Sequence, residues 1–146
     1  MSDPAYAEKM ARALAALGSE RVLVVHGSDG LDELTLSGPT HTWWVESGEV
    51  HRNQVSPEDV GLRRAPFSDV QGGGVEANTR VFFDVLEGKQ GPHADLVALN
   101  AGAALWVAQQ TSSIRDGVQL AKKLLKNGKA LARFESYREA ARATAV

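Results

Sequence analysis

The sequence predicts an α/β fold in which central strands are followed by a helix-rich second half. Three observations carry this. An amphipathic helical pattern at the start leads into Arg21-Val-Leu-Val-Val25, a short β-branched run of the kind expected for a strand buried on both faces. From Leu34 to about Val55 the pattern shortens to brief apolar stretches split by glycine and proline, which marks further strands. From Glu76 onward, alanine-rich segments recur at helical spacing, and alanine both favours helix and lets helices approach closely.

The first helix starts at Asp3-Pro4, because Asp can accept from orphan backbone N–H groups and Pro suits the first helical position. Tyr6, Met10, Leu14 and Leu17 follow as one apolar stripe that ends at Gly18. Glu33-Leu-Thr-Leu-Ser37 and His41-Thr-Trp-Trp-Val45 predict antiparallel strands or a hairpin, punctuated by Gly38-Pro39 and Ser47-Gly48. Trp43-Trp44 reads as a strand pair with one ring buried. Ser56-Pro57 starts a turn or short helix, and Gln71-Gly-Gly-Gly74 is a flexible break. Helices are expected over Glu76 to Leu86, Ala94 to Gln109, Ser113 to Leu125 and Lys129 to about Ala143. In the third of these, Ile114, Val118, Ala121 and Leu125 line one face, and Ser113 with Asp116 forms a shortened capping box.

Residues 1–146 read as a single domain, and a chain of that size buries roughly 70% of its unfolded surface. With 16 Lys and Arg against 18 Asp and Glu, the net charge of -2 supplies no overall field toward nucleic acid or an anionic membrane. The absence of cysteine excludes a disulfide framework, a thiolate metal site and a cysteine nucleophile. The expected compartment is the cytoplasm. The opening MSDPAYAEKMARALAALGSE lacks a basic start followed by an apolar run, and no segment stays apolar for ~18 residues, so no export signal or membrane span is read.

Chemistry concentrates in His26-Gly-Ser-Asp-Gly-Leu-Asp-Glu33, directly after the buried run. Ligands of open α/β sheets gather outside the carboxyl ends of strands, which is where Asp29, Asp32 and Glu33 would stand. Adjacent carboxylates repel unless a cation or donors neutralise them, and an all-oxygen set suits a hard ion such as magnesium. Short acids are also common turn formers, so spacing alone leaves both readings open. His26 reads either as a proton carrier or phosphate donor, since histidine titrates near neutrality, or, in the simpler reading, as a residue bonded within the loop. His41, His51 and His93 have no spacing that resembles a transition-metal site.

The run Val24-Val-His-Gly-Ser-Asp-Gly-Leu-Asp-Glu-Leu-Thr-Leu-Ser-Gly-Pro-Thr40 resembles the central signature of anthranilate phosphoribosyltransferases. Three later segments are similar to that family in the same order: Gly73-Gly-Val-Glu-Ala-Asn78, Gly91-Pro-His-Ala-Asp-Leu-Val-Ala-Leu-Asn-Ala-Gly-Ala-Ala104, and Gly117-Val-Gln-Leu-Ala121 through Asn127-Gly-Lys-Ala130. The resemblance implies a phosphoribosyltransferase of the class II nucleoside phosphorylase/phosphoribosyltransferase-like fold. It implies transfer of the phosphoribosyl group of phosphoribosyl pyrophosphate to the amino nitrogen of anthranilate, an early step of tryptophan biosynthesis. It also implies that Mg2+ escorts the pyrophosphate and that Asp32 and Glu33 are its ligands. Asp29 receives no role.

Members of that family carry a small helical domain and a glycine-rich Gly-Thr-Gly-Gly-Asp phosphate loop ahead of this region. Neither is found in these residues, and Gly72-Gly73-Gly74 matches a different family segment. The expectation is therefore an incomplete catalytic domain, nearly inactive alone, whose uncovered sheet edge and helix faces call for self-association or a chain supplying the N-terminal half. No residue contacting anthranilate carries over. Asn78 and Asn100 match family positions, but their residue types read as helix-start capping and as packing between helices. Arg63-Arg64 and Lys122-Lys123 read as solvated charge. Two other readings remain at this point: a non-catalytic binding or assembly module, and a pyrimidine nucleoside phosphorylase relative, which lacks the Asp32-Glu33 signature.

Overall fold

A computed structural model describes residues 1–144 of the chain. One 3-10 turn, Pro4–Tyr6, leads into α1 (Ala7–Ala16), and β1 (Arg21–Gly27), β2 (Thr40–Glu46) and β3 (Glu49–Val55) follow. The second half is helical: α2 (Val75–Leu86), α3 (Pro92–Val107), α4 (Ile114–Lys126) and α5 (Lys129–Thr144). Among the described residues no helix is long and apolar enough to cross a membrane.

The sheet is antiparallel in the order β1-β2-β3. Its hairpin joins β2 to β3 through Ser47-Gly48, both at positive φ (53° and 81°), the backbone that a two-residue turn needs to match strand twist. This corrects two expectations. Glu33–Ser37 is not a strand, because its backbone groups are taken by side chains before any ladder can claim them. Nor is β1 deeply buried: it packs on both faces, yet as an edge strand it is fully buried only at Val24 and Gly27.

Alternation along the strands splits the core in two. Val24, Trp43 and Val45 face α1, where Ala7 and Ala11 are buried. Leu23 and Val25 face the opposite layer of Leu34, Leu36, Leu99 and Val118. The packed face of α1 also differs from the expected stripe. Leu14 packs, but Met10 and Tyr6 are largely exposed and Leu17 is 82% exposed. Small alanines can lie close against a ring as large as Trp43, and the bulky residues of the helix are left facing outward. Trp43-Trp44 divides as strand alternation requires: Trp43 is buried, while Trp44 meets Trp106 at 4.3 Å beneath the Arg21 guanidinium.

Helices α3 and α4 form the densest contact of the helical half. A Cβ at Gly117 would lie 2.2 Å from the Gly102 carbonyl oxygen, and one at Gly102 would lie 2.5 Å from the Val118 nitrogen. The two backbones therefore touch, and only glycine fits either position. Val118, Ala121 and Leu125 are buried on the expected face of α4. Ser113 caps that helix by accepting from the Asp116 N–H at 3.1 Å, while its hydroxyl donates to the Asp116 carboxylate at 2.7 Å. Helix α5 buries no residue. Its main tie is Phe134, edge-on to Phe82 at 4.9 Å.

Candidate functional site

The segment between β1 and β2 is held from both ends. The Ser28 N–H donates to the Pro39 carbonyl at 3.0 Å, and the Gly27 N–H donates to the Leu31 carbonyl at 2.9 Å. Gly30 turns the chain at φ 91°, a backbone that other residues adopt at a cost. A Cβ at Gly27 would sit 2.6 Å from Asp29 Oδ1, so a side chain there would displace the carboxylate. Met1 lies alongside: its nitrogen donates to the carbonyls of Val25 (3.0 Å) and Asp32 (2.7 Å), and its carbonyl meets His26 Nδ1 at 2.8 Å. His26 is thus bonded to the first residue rather than within the loop.

The three acids stand in three different settings. Asp29 belongs to the framework: Oδ2 accepts from the Thr35 hydroxyl at 2.5 Å and Oδ1 from the Leu31 N–H at 3.2 Å. Burial works to raise its pKa, but the hydrogen bonds, Thr35 foremost, hold it below the ordinary aspartate value. Asp32 is exposed and Glu33 is partly buried. Burial first, then the charges of Asp32 and Asp29, push the Glu33 carboxyl above the ordinary glutamate value. Glu33 thus sits where its negative charge is disfavoured.

Residues that residue-type reasoning placed elsewhere turn out to position this loop. Asn100 on α3 accepts from the Leu34 N–H and donates to the Leu34 carbonyl, both at 3.0 Å, with a further bond to the Leu96 carbonyl at 3.1 Å. It joins helix to loop, not helix to helix. Buried Thr40 accepts from the Thr35 N–H, and Thr35 Oγ1 accepts from the Ser37 N–H, each at 3.0 Å. A threonine flanked by two leucines was the available signal, legible once the strand reading is dropped. Asn78 ties the start of α2 to Gly73, accepting at 2.8 Å and donating at 3.0 Å, as a capping residue would.

Among the described residues no three His, Asp or Glu side chains are arranged to hold a metal ion. Asp32 and Glu33 therefore offer at most part of a coordination shell. Magnesium held by this pair would need water and substrate phosphate to complete its shell.

Comparison with known proteins gives consistent results. The family model described as "Glycosyl transferase family, a/b domain" matches residues 1–131. The chain is 46% identical over 141 residues to the anthranilate phosphoribosyltransferase of Azorhizobium caulinodans, covering 97% of this chain and 41% of that protein. It is 45% identical over 137 residues to the Symbiobacterium thermophilum enzyme, covering 94% and 40%. In three dimensions it is similar to anthranilate phosphoribosyltransferase from Thermus thermophilus, with TM-score 0.85 and 42% identity over 93% of this chain and 40% of that one. The Saccharomyces cerevisiae enzyme, solved in complex with PRPP and Mg, gives TM-score 0.82 at 25% identity over 92% and 39%. These relatives are phosphoribosyltransferases rather than nucleoside phosphorylases. The chain spans about 40% of the length of the relatives it matches, in their C-terminal part. With nearly its whole length matched by the family model, the chain belongs to the glycosyl transferase family as a stretch of its α/β domain.

Proposed function

We propose that this chain is the magnesium-handling part of an enzyme that transfers the phosphoribosyl group of phosphoribosyl pyrophosphate to anthranilate in tryptophan biosynthesis, with Asp32 and Glu33 as the metal-side residues. The observation that supports it is the setting of Glu33, partly buried beside Asp32 and Asp29, where burial first and those charges second raise its pKa. Such a group gains by meeting a cation. Magnesium bound there would stabilise the negative charge gathering on the departing pyrophosphate.

The other contributions come from the chain itself. Asn100 fixes the backbone of Leu34, the residue after Glu33. Thr35 holds Asp29 inside the loop, which leaves Asp32 and Glu33 as the carboxylates available for the cation. Anthranilate's amine is a usable nucleophile once its proton can leave, so placing the two substrates supplies much of the acceleration. No protein nucleophile is assigned.

These 146 residues contain no Gly-Thr-Gly-Gly-Asp loop. We therefore infer little turnover by this stretch alone, and full activity together with the further length that the relatives carry. Uncovered apolar surface supports a partner or self-association. Helix α3 carries apolar residues on every face, a pattern typical of a helix buried all round. A groove of about 520 Å³ along it is lined by Leu86, Val97, Leu105, Leu124 and several alanines, and Tyr6 and Leu17 stand exposed on the other layer. A cytoplasmic location belongs to the same reading.

Thermal unfolding of the completed enzyme decides the metal assignment. Phosphoribosyl pyrophosphate should stabilise it only with magnesium present, and Asp32→Asn with Glu33→Gln should abolish that shift. An unchanged shift removes the assignment. Anthranilate turnover at ordinary enzyme rates by residues 1–146 alone would overturn the inference of little activity, and light scattering showing a monomer at all concentrations would remove self-association.

A further inference from the structure

A second concave site lies in the helical half, away from the acidic loop. It is a groove of about 850 Å³ between the turn joining α2 to α3, the last turns of α4, and the Gly61–Arg63 segment. Arg63, Lys89, Lys122, Lys123 and Lys126 line it, against the single acid Asp95. In a chain with 18 acidic and 16 basic residues, this is a local reversal of sign. Lys122 pairs with Asp95 at 2.8 Å and Lys89 pairs with Asp84. Arg63, Lys123 and Lys126 have no acidic partner among the described residues.

Helix electrostatics accounts for part of this. Lys123 and Lys126 occupy the last turn of α4, where cations complement the helix dipole. It does not account for Arg63, which comes from a separate segment and lines the same space. Gly91 and Ala94, at the start of α3, open onto the groove as well, and the N-terminal end of a helix presents free N–H groups to an anion. Cations from three segments thus converge on one cavity beside the start of α3. Its volume falls in the small-molecule range of about 300–1,000 Å³.

We propose that this groove binds a small compound carrying a chain of phosphates. Three uncompensated cations suit a ligand with several charges, and phosphate oxygens accept from Arg and Lys through strong charge-assisted hydrogen bonds. The phosphate chain is the recognised group, whether it is inorganic or belongs to a nucleotide.

The experiment is calorimetric titration of residues 1–146 with inorganic triphosphate and, separately, with adenosine triphosphate, at low ionic strength with a chelator present. Saturable binding is expected, weakened about tenfold or more by Arg63→Gln with Lys123→Gln and Lys126→Gln. Lys9→Gln with Arg12→Gln and Arg142→Gln removes the same charge elsewhere and should leave binding unchanged. Equal affinity for the two ligands assigns recognition to the phosphate chain alone, and tighter nucleotide binding assigns a nucleotide. Absence of binding, or an equal loss in both triple variants, overturns the site. Amide chemical shifts of the unmodified chain guard against a variant that fails to fold. Triphosphate should move Gly88 and Gly91, and changes confined to other residues would count against the groove.

Discussion

Helices α3 and α4 are closed by the absence of side chains, whereas the loop from Gly27 to Thr40 is closed by their presence. In the first region Gly102 and Gly117 bring backbone against backbone. In the second, Thr35, Thr40 and Asn100 reach out to N–H and carbonyl groups that no ladder satisfies. The loop is no less buried for being irregular: Leu34, Thr35 and Leu36 are each 2% exposed or less, while α5, fully regular, has no fully buried residue. Regular backbone and a fixed position are thus separate properties, and the candidate site takes its position from side-chain hydrogen bonds. Asn100 links the regions, since it stands on α3 and grips the loop.

The largest expected effect breaks the helical region. Gly117→Ala gains ~1 kcal/mol of helix propensity, but its methyl would lie 2.2 Å from a carbonyl oxygen of α3. Overpacking of that kind costs about 1–3 kcal/mol or more, and backbone cannot move aside as a flexible side chain can. The overlap wins, and chemical denaturation should show a clear net loss of stability. A variant as stable as the parent would mean that the helices do not touch there. The next effect separates the regions. Asn100→Ala leaves the Leu34 N–H and carbonyl without partners in a partly buried setting, at a cost of about 1–3 kcal/mol. Faster amide exchange at Leu34, with α4 unchanged, is the signature expected.

The same division explains how much was legible in advance. The helical half follows from apolar periodicity and glycine punctuation, and its helices appear within a few residues of the expected bounds. The β2–β3 hairpin announces itself through Ser47-Gly48. The loop was not legible as structure, because Leu34-Thr-Leu36 alternates like a strand and nothing local reveals that Asn100, 66 positions away, will claim its backbone. The face of α1 was misread for a related reason. Bulk at helical spacing suggests a core stripe, but the partner surface already held Trp43, and the alanines fitted it. The acids of the site were readable by type and position, yet only the structure separates Asp29, bonded into the loop, from exposed Asp32 and partly buried Glu33.

Inside the loop, Thr35→Val keeps the shape of the side chain and removes the hydroxyl that donates to Asp29 and accepts from the Ser37 N–H. The expected loss is about 1–3 kcal/mol at neutral pH. Because the folded pKa of Asp29 is depressed, its contribution to stability is present above the unfolded value and is lost as pH falls through the folded one. The deficit of the variant should therefore shrink in acid. A deficit independent of pH would assign the loss to the Ser37 bond alone.

Glu33→Gln is the smallest change and has the opposite sign. The folded pKa of Glu33 is raised, so folding favours the protonated form, and stability declines as pH climbs from the unfolded value through the folded one. Above that window a neutral glutamine escapes the repulsion from Asp32 and Asp29. Without magnesium, the variant should melt slightly higher than the parent at neutral pH and equal it in acid, where glutamate is protonated in both states. Neither the Gly102–Gly117 contact nor the Asn100 clamp involves this side chain, so both regions keep their closure while the charge is removed. A lower melting temperature at neutral pH would mean that Glu33 holds the loop together, and its place among the metal-side residues would then need another argument.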